Sequence, residues 1–102
     1  ISPDQTRANM TAILDELKKR KINVVMTGIL ASPNMGPDYA AAFNPIFPEL
    51  AKRYRAPLYP FFLAGIVTQP GMMLDDGIHP NARGVAQAVQ GIEPLVSEVL
   101  ER

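Results

Sequence analysis

Residues 22–30, Ile-Asn-Val-Val-Met-Thr-Gly-Ile-Leu, form a nearly continuous apolar run rich in β-branched side chains. Its length and lack of polar alternation read as a strand buried on both faces, the signature of a parallel sheet covered by helices. Parallel neighbours need crossover connections, normally helical. The sequence offers helices on both sides of the run. Ser2-Pro3-Asp4-Gln5 is a helix start, with Ser2 as cap, Pro3 at the first helical position, Asp4 at the positive dipole end and Gln5 closing a capping box. Met10, Ile13, Leu14 and Leu17 follow at helical spacing, and Lys18, Lys19, Arg20 and Lys21 gather where cations are favoured.

Residues 31–37 are a loop by composition, and a second helix is expected from Asp38 to Tyr54, with Tyr39, Phe43, Ile46, Phe47, Leu50 and Tyr54 on one face. Pro45 and Pro48 fall within it. An interior proline costs ~3 kcal/mol in a regular helix, so a kink or break near Asn44 is expected. Residues 57–62 read as a short strand that Pro60 confines to an edge or an end, and residues 64–73 as irregular. A third helix follows His79-Pro80, with Val85, Val89, Ile92, Val96 and Val99 on one stripe and Gly91 and Pro94 weakening or bending it. The α-β-α-β-α order implies an α/β fold with helical crossovers. Two strands alone would leave the central one with a bare edge, so further strands are expected to precede Ile1.

Composition narrows function by exclusion. The length of 102 residues suits one domain, and 47% hydrophobic residues suit a packed core. Ten basic residues balance ten acidic ones, so no nucleic-acid partner or anionic membrane surface is implied. With no cysteine and one histidine, a zinc site would need mostly carboxylates, and neither metal nor cofactor is expected. No apolar run approaches the ~20 residues of a membrane span, and no signal peptide is recognisable. The first residue is Ile and not Met, so the natural N-terminus is expected to have been removed or to lie outside these residues, and the absence of a signal peptide carries no information. The absence of a Gly-rich phosphate loop argues against a nucleotide-binding module.

The single histidine lies in Leu74-Asp75-Asp76-Gly77-Ile78-His79-Pro80-Asn81, directly before the third helix. A carboxylate at Asp76 can meet one imidazole nitrogen and leave the other to face a reactant, the base-and-orienter part of a nucleophilic triad. Asp75 is then a solvated or turn residue. Spacing alone leaves His79 open between a base and a capping or surface residue. In open α/β sheets ligands sit outside the carboxyl ends of strands. The loop after Leu30, the loop after Phe62 and the Asp76–His79 turn are placed to converge there. Ser32 and Asn34 could touch substrate or simply form the turn; Met35, Met72 and Met73 could line an acyl pocket or pack locally. Asn34 and Met35 are retained as candidate substrate contacts.

The block Asp76-Gly77-Ile78-His79-Pro80-Asn81 resembles the last motif of the SGNH, or GDSL-type, hydrolases. The likeness extends back through Ser32-Pro33-Asn34-Met35-Gly36-Pro37-Asp38-Tyr39, Phe43-Asn44, Phe47-Pro48-Glu49-Leu50-Ala51 and Pro57-Leu58-Tyr59-Pro60-Phe61-Phe62. As an ordered set these are similar to the bacterial arylesterase and acyl-thioesterase/lysophospholipase branch, although Pro45 departs from its helix pattern. The resemblance implies a three-layer α/β/α flavodoxin-like fold, of which residues 1–102 would be the C-terminal portion, with the last two parallel strands and their helices. It also implies a serine esterase or thioesterase acting on short acyl or aryl esters, with His79 as general base and Asp76 as its orienting partner. The family's serine lies in a Gly-Asp-Ser-Leu block, and its oxyanion hole adds a Gly and an Asn from two later blocks. None of these has a counterpart here: the serines are Ser2, Ser32 and Ser97, none in that context. The expected partners are therefore a small ester or thioester and either the N-terminal half of the same domain or a second copy of the chain. Alone, the chain is expected to be inactive. The resemblance favours a periplasmic or secreted location. The alternative is a non-catalytic α/β fragment that docks with another chain.

Overall fold

The computed structural model describes residues 1–59, 69–76 and 79–102. Helix α1 spans Pro3–Lys19 and begins with the expected capping box: Gln5 N–H donates to Ser2 Oγ at 3.1 Å, and Ser2 N–H to Gln5 Oε1 at 2.9 Å. Its end is closed by Lys21 in the left-handed region (φ 57°), which lets Ile22 N–H reach back to the Leu17 carbonyl at 3.0 Å. Such a bond satisfies a carbonyl that the last helical turn would otherwise leave without a partner.

Strand β1, Met26–Thr27, pairs in parallel with β2, Leu58–Tyr59, with Met26 opposite Leu58 and Thr27 opposite Tyr59. Between them lie α2, Pro37–Phe43, and α3, Ile46–Tyr54. The predicted break falls at Asn44–Pro45, while Pro48 is accommodated in the first turn of α3, where its missing N–H leaves no bond unmade. Arg55 (φ 55°) ends α3 as Lys21 ends α1, with Ala56 N–H bonded to the Ala51 carbonyl at 2.9 Å. Helix α4 runs from Ala82 to Leu100 with Pro94 inside it.

The main core lies on one face of the strands. Leu14 of α1, Met26 of β1 and Ile46, Phe47, Leu50 and Ala51 of α3 are buried together, with Met10, Val24, Phe43, Tyr54, Ala56 and Leu58 packed against them. Polar contacts link α1 to α3 around this core: Arg7 pairs with Glu49 at 2.8 Å, and Tyr54 Oη donates to Asp15 Oδ1. That hydrogen bond holds the Tyr54 hydroxyl above its ordinary pKa.

Two expectations need correction, and a third is described only in part. Among the described residues, the strand predicted over residues 22–30 forms a ladder at Met26–Thr27, with Met26 N–H bonded to the Pro57 carbonyl at 2.9 Å and Gly28 N–H to the Tyr59 carbonyl at 2.7 Å. Within it burial alternates, with Met26 and Gly28 buried and Thr27 exposed, and Ile22, Ile29 and Leu30 are exposed too. Of the strand predicted over residues 57–62, Leu58–Tyr59 is present, Pro57 precedes it and accepts the Met26 N–H, and residues 60–62 lie outside the described residues, as do residues 64–68 of the irregular segment. In α4 the buried positions are Gly84, Ala88 and Val99, whereas Val85 and Val89 remain 49% and 51% exposed. The helix approaches its neighbours through small residues: a Cβ at Gly84 would overlap the Met72 carbonyl oxygen and meet Pro80 Cβ at 2.8 Å, and one at Gly91 would overlap the Tyr59 hydroxyl.

This packing fixes the sign of two substitutions. Leu50→Ala removes the centre of the buried cluster and is expected to cost about 2–5 kcal/mol, against less than about 1 kcal/mol for half-exposed Val89→Ala. Equal losses in urea denaturation followed by helical circular dichroism would place the core elsewhere. Gly→Ala within a helix ordinarily gains about 1 kcal/mol. At Gly84 the new methyl must displace backbone, an overpacking cost of roughly 1–3 kcal/mol. Gly84→Ala is therefore expected to lower Tm, and a rise would show that the approach to Met72 is slack.

Candidate active site

The Asp76–His79 turn is built from backbone closure at its base. Met73 and Pro80 form an antiparallel bridge, Leu74 N–H donates to the His79 carbonyl at 2.7 Å, and Asn81 N–H donates to the Met72 carbonyl at 2.8 Å. Within the turn Asp76 holds His79 twice. Its Oδ1 accepts the His79 backbone N–H at 3.1 Å, and its Oδ2 lies 2.8 Å from His79 Nδ1. An ionised carboxylate can only accept, so in the neutral ring the contact favours the proton on Nδ1 and leaves the Nε2 lone pair to take a proton. The pair is open to solvent, His79 at 70% and Asp76 at 44% of side-chain area. Exposed ion pairs contribute about 0–1 kcal/mol, so this one matters for orientation more than for stability. The described ring contact of His79 comes from Asp76, and none from Asp75 accompanies it.

Asn34 and Met35 lie in a single 3-10 turn, Pro33–Met35, in the loop after β1, and both are exposed. That loop is tied to the break between α2 and α3, where Asn44 Oδ1 accepts the Ala31 N–H at 2.8 Å. Among the described residues, no contact joins Asn34 or Met35 to the Asp76–His79 pair. The serines have other roles: Ser2 caps α1, Ser97 Oγ donates to Glu93 Oε1 at 2.6 Å, and exposed Ser32 precedes the 3-10 turn. A cleft of about 280 Å³ opens at the amino ends of the strands, lined by Leu14, Ile22, Val24, Tyr54 and Ala56 among others, away from the pair. Among the described residues there is no cluster of three or more potential metal-ligating side chains, and no helix is long and apolar enough to cross a membrane.

Sequence reasoning missed what holds the turn. Asn81 entered only as part of a motif and Gly84 not at all. The available signals were an Asn directly before a helical stripe, a favoured cap, and a Gly in the first helical turn, where close backbone approach is one explanation.

With this geometry in hand, likeness to known proteins becomes informative. The sequence pattern of the GDSL-like Lipase/Acylhydrolase family matches residues 1–87. Thioesterase 1/protease 1/lysophospholipase L1 of Escherichia coli K12 is 39% identical over 79 residues, covering 78% of this chain and 38% of that protein. Esterase TesA of Pseudomonas aeruginosa is 30% identical over 100 residues, covering 98% of this chain and 50% of that one. The crystal structure of AlinE4, an SGNH-hydrolase family esterase, superposes with a TM-score of 0.70 at 40% identity over 98% of this chain and 53% of AlinE4. The chain thus spans about half the length, or less, of these relatives. Its helices and small parallel sheet are the α/β architecture of the SGNH hydrolases. By sequence and fold together, the chain belongs to the GDSL-like lipase/acylhydrolase family.

Proposed function

We propose that this chain supplies the histidine–aspartate part of a serine esterase or thioesterase site acting on short acyl or aryl esters. The contact of Asp76 Oδ2 with His79 Nδ1 carries the reading, since it turns Nε2 toward proton transfer. In this scheme a serine from the other half of the domain attacks the ester carbonyl carbon while His79 Nε2 takes its hydroxyl proton. The same proton passes to the leaving alkoxide, aryloxide or thiolate as the C–O or C–S bond breaks. Water then repeats the sequence on the acyl-enzyme, losing its proton to His79, which returns it to the serine. Asp76 keeps the ring in register and stabilises the transient imidazolium. Asn34 and Met35, in the loop beyond the carboxyl end of β1, are the proposed contacts for the acyl or alcohol portion.

The partner is the N-terminal half of the same domain, with a second copy of the chain as the competing occupant. Ile13, Ile29, Leu30, Val85 and Val89 are each about half exposed, more apolar side chain than a self-contained core leaves out. The radius of gyration, 15.1 Å, exceeds the ~13 Å of a compact 100-residue domain. The same exposed side chains support a second reading, a fragment that docks without catalysing, and hydrolysis separates the two.

Two experiments test this. In the chain joined to a Gly-Asp-Ser-Leu-bearing N-terminal half, Asp76→Asn should lower kcat on a p-nitrophenyl ester by roughly 10²–10⁴, by analogy with the serine-protease triad. Asp75→Asn should stay within several-fold of the parent, and His79→Ala should remove most turnover. Equal losses at the two aspartates would sink the assignment. Separately, residues 1–102 alone should self-associate or aggregate and show no hydrolysis above buffer, with activity appearing when the other half is added. A monodisperse monomer that cleaves esters unaided would mean that the nucleophile lies within these residues.

A further inference from the structure

We infer that Asn81 is a positioning residue for the Asp76–His79 pair: its amide ties the two ends of the turn together and so sets where the imidazole stands. The inference rests on the reading of His79 as the base. Asn81 Oδ1 accepts the Gly84 N–H at 3.0 Å, the ordinary cap of α4. On the other side its Nδ2 donates to the Gly71 carbonyl at 2.6 Å and reaches the Met73 carbonyl at 3.5 Å. The backbone partners fix the orientation of the amide: an N–H on one side requires the oxygen, and carbonyls on the other require the nitrogen.

Capping needs only an acceptor, which Ser or Asp supplies as well as Asn. The amide donors do something else. They fasten the helix start to the segment entering the turn, ten and eight residues upstream. With the Asn81 N–H bond to Met72 and the Leu74 bond to His79, they close the chain from Gly71 to Asn81 at its base. His79 lies two residues before that closure, and its ring is exposed, with Asp76 as its described side-chain contact. Slackness in the base therefore passes directly into the ring position. Gly84 permits the closure, since any Cβ there would strike the Met72 carbonyl.

The test uses substitutions that keep the cap and remove the donors. Asn81→Asp and Asn81→Ser each retain an acceptor for Gly84 N–H and lose the amide nitrogen. The Ser variant also avoids placing a carboxylate against two carbonyls. The chain has one histidine, so nitrogen NMR of the imidazole reports His79 without ambiguity. With residues 1–102 isotope-labelled and joined to the unlabelled N-terminal half, at a pH where the ring is neutral, the parent should show a predominant Nδ1–H tautomer. Both variants should move toward the mixture seen when Asp76→Asn breaks the pair directly, with the helicity of α4 retained by circular dichroism. In the completed enzyme the same variants should lose about 10–100-fold in kcat with little change in KM, the scale of a displacement near 1 Å. A parent-like tautomer in both variants, or an undiminished kcat, overturns the inference and leaves Asn81 as a helix cap alone. If instead the completed parent hydrolyses nothing, the reading of function fails, and the tautomer measurement still decides what Asn81 does.

Discussion

Met26 and Leu58 face each other across a parallel pair, and parallel strands cannot be joined by a tight turn. Residues 28–57 must therefore leave at the carboxyl end of β1 and return to the amino end of β2. Helices α2 and α3 occupy that path, and the break at Asn44–Pro45 lets the second be aimed separately from the first. Ile46, Phe47, Leu50 and Ala51 lie on one side of α3, so the returning helix covers the strands as it crosses them, and α1 packs beside it through Leu14. The loop bearing Asn34 and Met35 then falls at the carboxyl edge, where α/β sheets hold ligands, because the crossover has to begin there.

Helix α4 is held by different means. Where α1 and α3 interdigitate large apolar side chains, α4 approaches through Gly84 and Gly91 and is fastened at its start by the Asn81 amide. Backbone contact of this kind fixes position while burying little side-chain area. Of the valines predicted to face the core, Val99 is buried, whereas Val85 and Val89 point partly to solvent on the stretch of helix where Gly84 and Gly91 make the close approaches.

What could be read from sequence was local. The Ser2–Gln5 capping box, the break before Pro45 and the Asp76–His79 contact each depend on residues a few positions apart, where spacing and stereochemistry suffice. What could not be read was tertiary. The length of the β1 ladder depends on where β2 runs beside it, and the apolar run at residues 22–30 carries no information about that. The buried side of α4 was read correctly at Val99 and misjudged at Val85 and Val89, because hydrophobicity selects the valine stripe, whereas the approach of Met72 and Tyr59 selects the glycines. Asn81 was legible as a cap but not as a tie, because Gly71 and Met73 are distant in sequence.

The Asp76–His79 pair shows why such a tie matters. At 2.8 Å and largely exposed, it has little energy with which to hold two side chains in one geometry. The general base proposed at His79 would need its nitrogen held within hydrogen-bond reach of the reacting proton. Hydrogen bonds between neutral groups, which salt screens less, add to that hold, and here these are the contacts among Gly71, Met72, Met73, Leu74, His79, Asn81 and Gly84. If the proposed partner half covers this edge, water competes less for the 2.8 Å contact, while the desolvation of both groups opposes that gain. Orientation would then be set first by the backbone closure of the turn, so the geometry can precede the environment in which it becomes useful.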